Sequence, residues 1–355
     1  MRPLIPGAGI LGAGLAFAAG CSTPRATDDD GDSAGLAAES VAPGGGVRFI
    51  DVTAGSGIDF THVSGDEHQR FIIETMGGGA AFLDYDADGY LDLYLVNGVR
   101  GGEAPPESGS RLYRNEPGGP GGRRFADVTA ESGTGGRGWG MGCAVADYDN
   151  DGDVDLYVTY WGANRLYRNR GDGGFEEQAA AAGVADESWG TSAAFGDLDA
   201  DGFLDLYVAN YLEFDLEDPP NEGRPCTGFK GLEGFCGPMG IPGQPDLLYR
   251  NLGDGRFEDI SAAAGIDRHR LPALGVAFAD YDDDGDQDVY VANDSEPNLL
   301  WRNDGGWVLR EAAALAGAAY SEEGRSQAGM GVDFGDWDND GDLDLFVTNF
   351  SDDVN

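Results

Sequence analysis

Five stretches of the sequence repeat one arrangement of acidic residues. The first reads Asp84-Tyr-Asp86-Ala-Asp88-Gly89-Tyr90-Leu-Asp92, and the pattern returns at Asp147, Asp197, Asp280 and Asp336. Every copy has Asp at positions 1, 3, 5 and 9 and Gly at position 6. Such a loop suits Ca²⁺, a hard cation that takes six to eight oxygen ligands at about 2.3–2.6 Å. Asp is short, so alternate residues on a tightly curved loop aim carboxylates at one point, while Gly permits the sharp turn. The carbonyl at position 7, that of Tyr90 in the first loop and Phe203 in the third, can add a ligand. The candidate ligands of the first loop are thus Asp84, Asp86, Asp88, Tyr90 and Asp92. Those of the second are Asp147, Asp149, Asp151, Asp153 and Asp155. The third offers Asp197, Asp199, Asp201, Phe203 and Asp205, and the fourth Asp280, Asp282, Asp284, Asp286 and Asp288. The fifth offers Asp336, Asp338, Asp340, Asp342 and Asp344.

The EF-hand is the obvious competitor, and it requires Glu at position 12 between two helices. Position 12 is Leu95, Val158, Val208, Val291 or Val347 here, all apolar and in strand-like surroundings. The alternative to a metal is a plain Asp-rich turn. Four carboxylates within about 4–5 Å repel one another by roughly 1 kcal/mol per pair even in water, so the design calls for a cation. About five Ca²⁺ sites are expected.

The elements that position these loops also repeat. A stretch of small and apolar residues precedes each loop, as in Gly77 to Leu83 and Ala273 to Ala279, and an apolar run such as Asp205-Leu-Tyr-Val-Ala follows it. Next comes a Leu-Tyr-Arg-Asn element, Leu112 to Asn115, Leu166 to Asn169 and Leu248 to Asn251, with Leu300-Trp-Arg-Asn303 as a variant. A Gly/Asp turn and a Phe-centred segment close the unit. Four short, turn-bounded segments per unit, repeated along the chain, predict an all-β propeller of four-stranded blades. The loop starts are 63, 50, 83 and 56 residues apart, about one blade with insertions.

Composition agrees. The chain has 355 residues, 60 of them Gly, which implies many tight turns. The formal net charge of −42 argues against a nucleic-acid partner, because a phosphate-binding face must be basic. The acids are concentrated: the five loops hold 24 of the 64.

Residues 1–20 have one positive charge, an apolar Gly/Ala-rich middle and small residues before Cys21, the layout of a secretory signal peptide. Ala18-Ala19-Gly20-Cys21 resembles a bacterial lipoprotein box, which implies cleavage before Cys21 and lipid on its thiol. Residues 21–46 then form a flexible acidic linker. The expected location is the bacterial cell envelope, with a lipid anchor as the sole membrane contact; the alternative is secretion.

The repeats resemble FG-GAP/VCBS repeats of integrin-α-type propellers and, more closely, the family of cartilage acidic protein. The supporting segments are Glu74-Thr-Met-Gly-Gly-Gly, the Leu-Tyr-Arg-Asn elements, Phe49 to Thr53, Phe125 to Thr129, and Cys226 to Pro245. The resemblance covers residues 48–355. It implies seven blades, Ca²⁺ in the loops and often a C-terminal ASPIC/UnbV domain. The fifth unit reaches only its second strand, so residues 47–355 are expected to be a propeller incomplete at the C-terminus, a fragment of a longer protein. Phe49 to Thr53 matches the outermost strand of a unit and is expected to complete the last blade.

Other residues bear on function. Cys226 and Cys236 flank a Gly-rich insertion; in an exported protein a disulfide is the natural reading, with two free thiols as the alternative. Cys143 stands where other units have Ala or Val and reads as a buried apolar thiol. Arg170-Gly-Asp172 falls in a turn that Asn251 to Gly255 repeats, so it is read as a turn. Trp139 and Trp189 each stand eight residues before a loop and are candidates for stacking on a ligand at a channel mouth, inter-blade packing being the other reading. Asp333 replaces the Ala of other units and is a candidate channel-lining acid. His62, His68 and His269 have no repeated partner, and no nucleophile–base pattern is visible. The expected function is a non-catalytic calcium scaffold for a protein or polysaccharide ligand. The alternative is a calcium-dependent polysaccharide lyase or hydrolase.

Overall fold

The computed structural model describes residues 49–65, 70–99, 109–227, 231 and 233–350. The signal segment, Cys21, the linker and His68 lie outside the described residues. Strands form where the sequence alternates between Asp-rich turns and β-branched or aromatic runs. Blade one contains β1 (Ala80–Leu83), β2 (Asp92–Leu95), β3 (Arg111–Pro117) and β4 (Arg123–Asp127). Blade two contains β5 (Trp139–Ala146), β6 (Asp155–Trp161), β7 (Arg165–Asn169) and β8 (Phe175–Glu177). Blade three begins with β9 (Gly190–Gly196) and β10 (Asp205–Asn210). A long insertion holding the small hairpin β11 (Cys226–Thr227) and β12 (Glu233–Gly234) follows, and β13 (Leu247–Asn251) and β14 (Phe257–Asp259) complete the blade. Blade four contains β15 (Ala273–Ala279), β16 (Asp288–Asn293), β17 (Leu299–Asn303) and β18 (Leu309–Glu311). The fifth unit pairs β19 (Gly329–Gly335) with β20 (Asp344–Asn349).

Each complete blade is an antiparallel sheet in sequence order, β1-β2-β3-β4 and its counterparts. The first strands stand side by side, β1 against β5, β5 against β9, β9 against β15 and β15 against β19, forming the inner wall. Small residues allow this approach. A Cβ on Gly142 would lie 2.5 Å from Thr191 O, and one on Gly275 would lie 2.4 Å from Met330 O.

The apolar cores are layers between blades. Leu83, Tyr94 and Leu112 of blade one pack on Leu156, Val158 and Phe175 of blade two. Tyr157 and Leu166 of blade two pack on Leu206 and Tyr249 of blade three, and Tyr207 and Leu248 of that blade pack on Val289 and Trp301 of blade four. Radial stacking of sheets through such layers is the propeller architecture, as the repeat pattern predicts. The buried Tyr of each second strand satisfies its hydroxyl: Tyr94 donates to Thr134 O, Tyr157 to Val184 O and Tyr290 to Ala318 O. A single helical turn ends each complete blade, such as α1 (Thr129–Ser132) and α2 (Ala179–Ala182).

The antiparallel order fixes two rims. Hairpins joining first to second strands, which contain the acidic loops, lie at one end of every blade. Connections from second to third strands lie at the other, and the insertion at 211–246 is one of them.

Phe49 to Thr53 departs from expectation. The segment forms no strand, and Phe49, Ile50 and Val52 are exposed at 94%, 69% and 54%. Among the described residues the fifth sheet has two strands, so the segment has no third strand to pair with. The chain after it runs along blade one instead: Phe125 N donates to Ser56 O at 2.6 Å and Gly98 N to Val63 O at 3.0 Å.

Candidate metal centres

Each acidic loop folds through the same backbone bonds. The carboxylate at position 1 accepts the amides of positions 5 and 6. Asp84 takes those of Asp88 and Gly89 at 3.0 and 2.9 Å, and Asp147 those of Asp151 and Gly152 at the same distances. The position 6 glycines turn with positive φ, 86° at Gly89 and 104° at Gly341. Position 4 is also left-handed although it is never Gly: Ala87, Asn150, Ala200, Asp283 and Asn339 have φ between 55° and 62°. A conformation that costs about 1–2 kcal/mol in a non-Gly residue is retained five times over, which marks it as imposed by the loop.

The result is five triads. Asp84, Asp86 and Asp92 place one oxygen each within 4.8 Å of one another, and so do Asp147, Asp149 and Asp155. Asp197, Asp199 and Asp205, then Asp280, Asp282 and Asp288, then Asp336, Asp338 and Asp344 repeat the arrangement. Positions 1, 3 and 9 are therefore brought together.

Positions 5 and 7 stand elsewhere. The position 5 carboxylate accepts the amide of position 7, as from Tyr90 to Asp88 and from Phe203 to Asp201, both at 2.9 Å. Asp284 accepts from Asp286 and Asp340 from Asp342 in the same way. Arg168 holds Asp149 and Asp151 of the second loop at 2.5 and 2.7 Å, and Arg250 holds Asp199 of the third at 3.0 Å. Position 7 side chains turn to the neighbouring hairpin: Tyr90 beneath the Arg123 guanidinium, Asp153 against Gly171, Phe203 against Gly253. The side chains of Asp153, Asp286 and Asp342 are outside the triads, and position 7 keeps its carbonyl as the candidate ligand.

The position 9 residues are the most enclosed. Asp92, Asp155, Asp205 and Asp288 are at most 1% exposed. Each accepts two backbone amides. Asp155 takes that of Tyr148 at 3.2 Å and that of Asn169 at 2.7 Å; Asp205 takes those of Leu198 and Asn251 at 3.0 and 2.9 Å. Burial outweighs these bonds and raises the carboxyl pKa to about 6 in Asp92 and Asp288, about 7 in Asp205 and about 8 in Asp155. Asp344 is less enclosed and accepts only Trp337 N, because β20 has no third strand over it among the described residues.

These residues fit calcium. The donor set is all oxygen, which suits a hard cation and offers no soft ligand. Asp149 Oδ1 and Asp199 Oδ1 are buried and have no hydrogen-bond partner, although buried polar atoms almost always have one. A cation in each of their two triads would satisfy them.

Trp139 and Trp189 are not at an open channel mouth. They are 5% and 1% exposed, within a cluster of Ile72, Ile73, Met141, Tyr211 and Leu212. Trp189 meets Tyr211 edge-on at 5.0 Å and Phe214 at 5.7 Å, and Trp139 meets Trp161 at 5.9 Å. The blade three insertion and residues 70–76 cover both indoles, so the packing reading replaces the stacking one. Asp333 is exposed on β19, which has no further blade beside it among the described residues. Cys226 and Cys236 form a disulfide within the insertion, with a Cα–Cα distance of 5.0 Å. Cys143 packs against the layer between blades one and two, where burial pushes its thiol up to about 12.

One repeated feature escaped the sequence reading. The residue before each third-strand element is polar and buried: Ser110, Asn164, Asp246 and Asn298. Its side chain accepts the amide at the end of the second strand, as Asn164 Oδ1 does from Tyr160 and Asp246 Oδ1 from Asn210, both at 2.8 Å. A polar residue fixed at this offset in otherwise apolar surroundings is the signal.

Blades of this order with an acidic loop between their first two strands define a class, the acidic-loop repeat propellers. The FG-GAP-like repeat matches residues 84–158, 147–208, 240–291 and 280–347, and the chain belongs to that family. Among characterised relatives it is similar to cartilage acidic protein 1 of Homo sapiens, 31% identical over 107 residues. It is also similar to that of Xenopus tropicalis, 33% identical over 110 residues. Each match takes in 30% of this chain and 16% of the relative, so the shared region is about a sixth of those proteins. A solved Agrocybe aegerita lectin, described as recognising non-reducing terminal N-acetylglucosamine, aligns over 76% of this chain and 60% of its own. Its TM-score is 0.40 and its identity 16%. Among the described residues no helix is long and apolar enough to cross a membrane.

Proposed function

We propose that this chain is a calcium-rigidified, non-catalytic binding scaffold of the bacterial cell envelope, held by lipid on Cys21 and presenting its propeller to a protein or polysaccharide ligand. The observation that carries the calcium reading is the pair of buried, unpartnered oxygens on Asp149 and Asp199 inside all-carboxylate triads. Three carboxylates within 4.8 Å repel by roughly 1 kcal/mol per pair even in water, and a divalent ion reverses the sign. The disulfide supports an oxidising compartment outside the cytoplasm.

Melting the protein with Ca²⁺ and with EGTA tests the calcium reading. Each site at about 100-fold excess over its dissociation constant adds about 2.7 kcal/mol, so chelation should lower the midpoint steeply. An unchanged midpoint sinks it. A glycan and protein array probed with the calcium-loaded protein tests the scaffold reading; shortening of a polysaccharide during the incubation would instead favour a lyase or hydrolase. Cys21→Ala should move the protein from the membrane fraction to the soluble one.

A further inference from the structure

The Asn that ends the third strand of blades two, three and four reaches two acidic loops at once. Its backbone amide donates to the position 9 Asp of its own blade, and its side chain donates to the position 2 carbonyl of the preceding blade's loop. Asn251 N lies 2.9 Å from Asp205 Oδ1, while Asn251 Nδ2 lies 2.8 Å from Tyr148 O. The amide of Tyr148 donates in turn to Asp155 Oδ2 at 3.2 Å. Asp155 and Asp205, position 9 residues of adjacent loops, are thus linked through the backbone of Tyr148 and the side chain of Asn251.

The same chain forms on either side. Asn169 joins Asp155 to Tyr85 O at 2.7 and 2.8 Å, and Tyr85 N donates to Asp92. Asn303 joins Asp288 to Leu198 O at 2.8 and 2.7 Å, and Leu198 N donates to Asp205. All three Asn are at most 3% exposed, so water does not compete for these bonds.

We infer that Asn169, Asn251 and Asn303 are positioning residues that couple the calcium sites of loops one to four, so that filling one loop raises the affinity of the next. This rests on the calcium reading above. A cation draws in and neutralises the position 9 carboxylate. That fixes the backbone of the loop's position 2 residue, whose carbonyl then stands in place for the Asn of the following blade. The Asn then holds its own position 9 Asp in the ligating pose before metal arrives. The coupling is mechanical, carried by buried bonds that hold successive residues in place. Coupling of this kind is reciprocal and is measured as a shift in affinity.

The test reads one loop at a time, by hydrogen exchange of the peptide spanning 197–205 during a Ca²⁺ titration of the full chain. Asp149→Ala empties the second loop and should raise the calcium midpoint of the third by roughly 5-fold or more. In an Asn251→Ala background the same change should leave that midpoint unmoved. An unmoved midpoint in the wild-type background, or an equal shift in both backgrounds, overturns the proposal. If Asn251→Ala does not fold, Asn303→Ala with Asp199→Ala, read at residues 280–288, poses the same question one junction further on. If no loop gains protection from Ca²⁺ in any variant, the calcium reading itself fails. If every loop gains it independently, only the coupling does.

Discussion

The ring of Phe214, in the insertion of blade three, lies 6.2 Å from the ring of Phe71, which precedes blade one. The insertion therefore reaches a neighbour of β1 that is distant in sequence. Gly223 approaches the same ring, and Phe235 and Ile241 join the cluster around Trp189. The Cys226–Cys236 bond closes a short loop in this strap. Cys226→Ser with Cys236→Ser should lower stability by roughly 2–3 kcal/mol on the chain-entropy model. Tryptophan emission should shift to the red as Trp189 meets water. A denaturation curve and emission spectrum matching wild type would show that the strap holds without its bond.

Asp246 gives the clearest pH dependence. It is buried beneath Tyr207, whose hydroxyl donates to it at 2.8 Å, and burial raises its pKa from the ordinary 3.8 to about 7. Between about pH 4 and pH 7 the folded chain keeps a proton that the unfolded chain releases. This contribution is fully present at low pH and is lost as pH rises through 7. Blades two and four have Asn164 and Asn298 at this position, so Asp246→Asn installs the repeat's own alternative. The variant should gain on wild type by on the order of 2–3 kcal/mol between pH 5 and pH 8. Parallel urea titrations at the two pH values decide it; an equal difference at both would exclude titration of Asp246.

The inner wall sets a steric limit. Gly142 faces Thr191 O and Ser192 Cα with no room for a methyl group. Gly142→Ala should cost about 1–3 kcal/mol by forcing β5 from β9. Ser192→Ala, at the equivalent position of blade three, should cost far less. Equal melting points for the two variants would mean that the wall can relax.

The position 4 residues allow a gain. Ala200 is held at φ 56°, a conformation Gly adopts freely. Ala200→Gly should relieve up to about 1 kcal/mol of strain and be clearest in EGTA, where no metal holds the loop. A lower melting point in EGTA would show that the entropy of the unfolded chain outweighs the strain.

What was legible in the sequence is what recurs locally. The nine-residue stretch from Asp84 to Asp92 contains its own turn glycine and directly adjoins its two strands, so loop, strands and triad follow from one short region. The Cys226–Cys236 pair is likewise local. The burial of Trp139 and Trp189 was not legible, because residues 70–76 and 211–246 cover them and nothing near either Trp announces that cover. The pairing of Arg168 with Asp149 and Asp151 was missed for a related reason. The Asp spacing suggests four equivalent carboxylates, while the third strand brings a guanidinium over two of them. The position of Phe49 to Thr53 depends on a strand partner that no local pattern supplies.

Because every acidic loop opens on the same rim, the charge of the molecule is lopsided as well as large. Five divalent ions would place ten positive charges on that rim and none on the other, against a formal net charge of −42. Calcium would thus offset less than half of the 24 loop carboxylates. Calcium binding would therefore ease charge repulsion on the loop rim alone and leave the charge of the opposite rim unchanged.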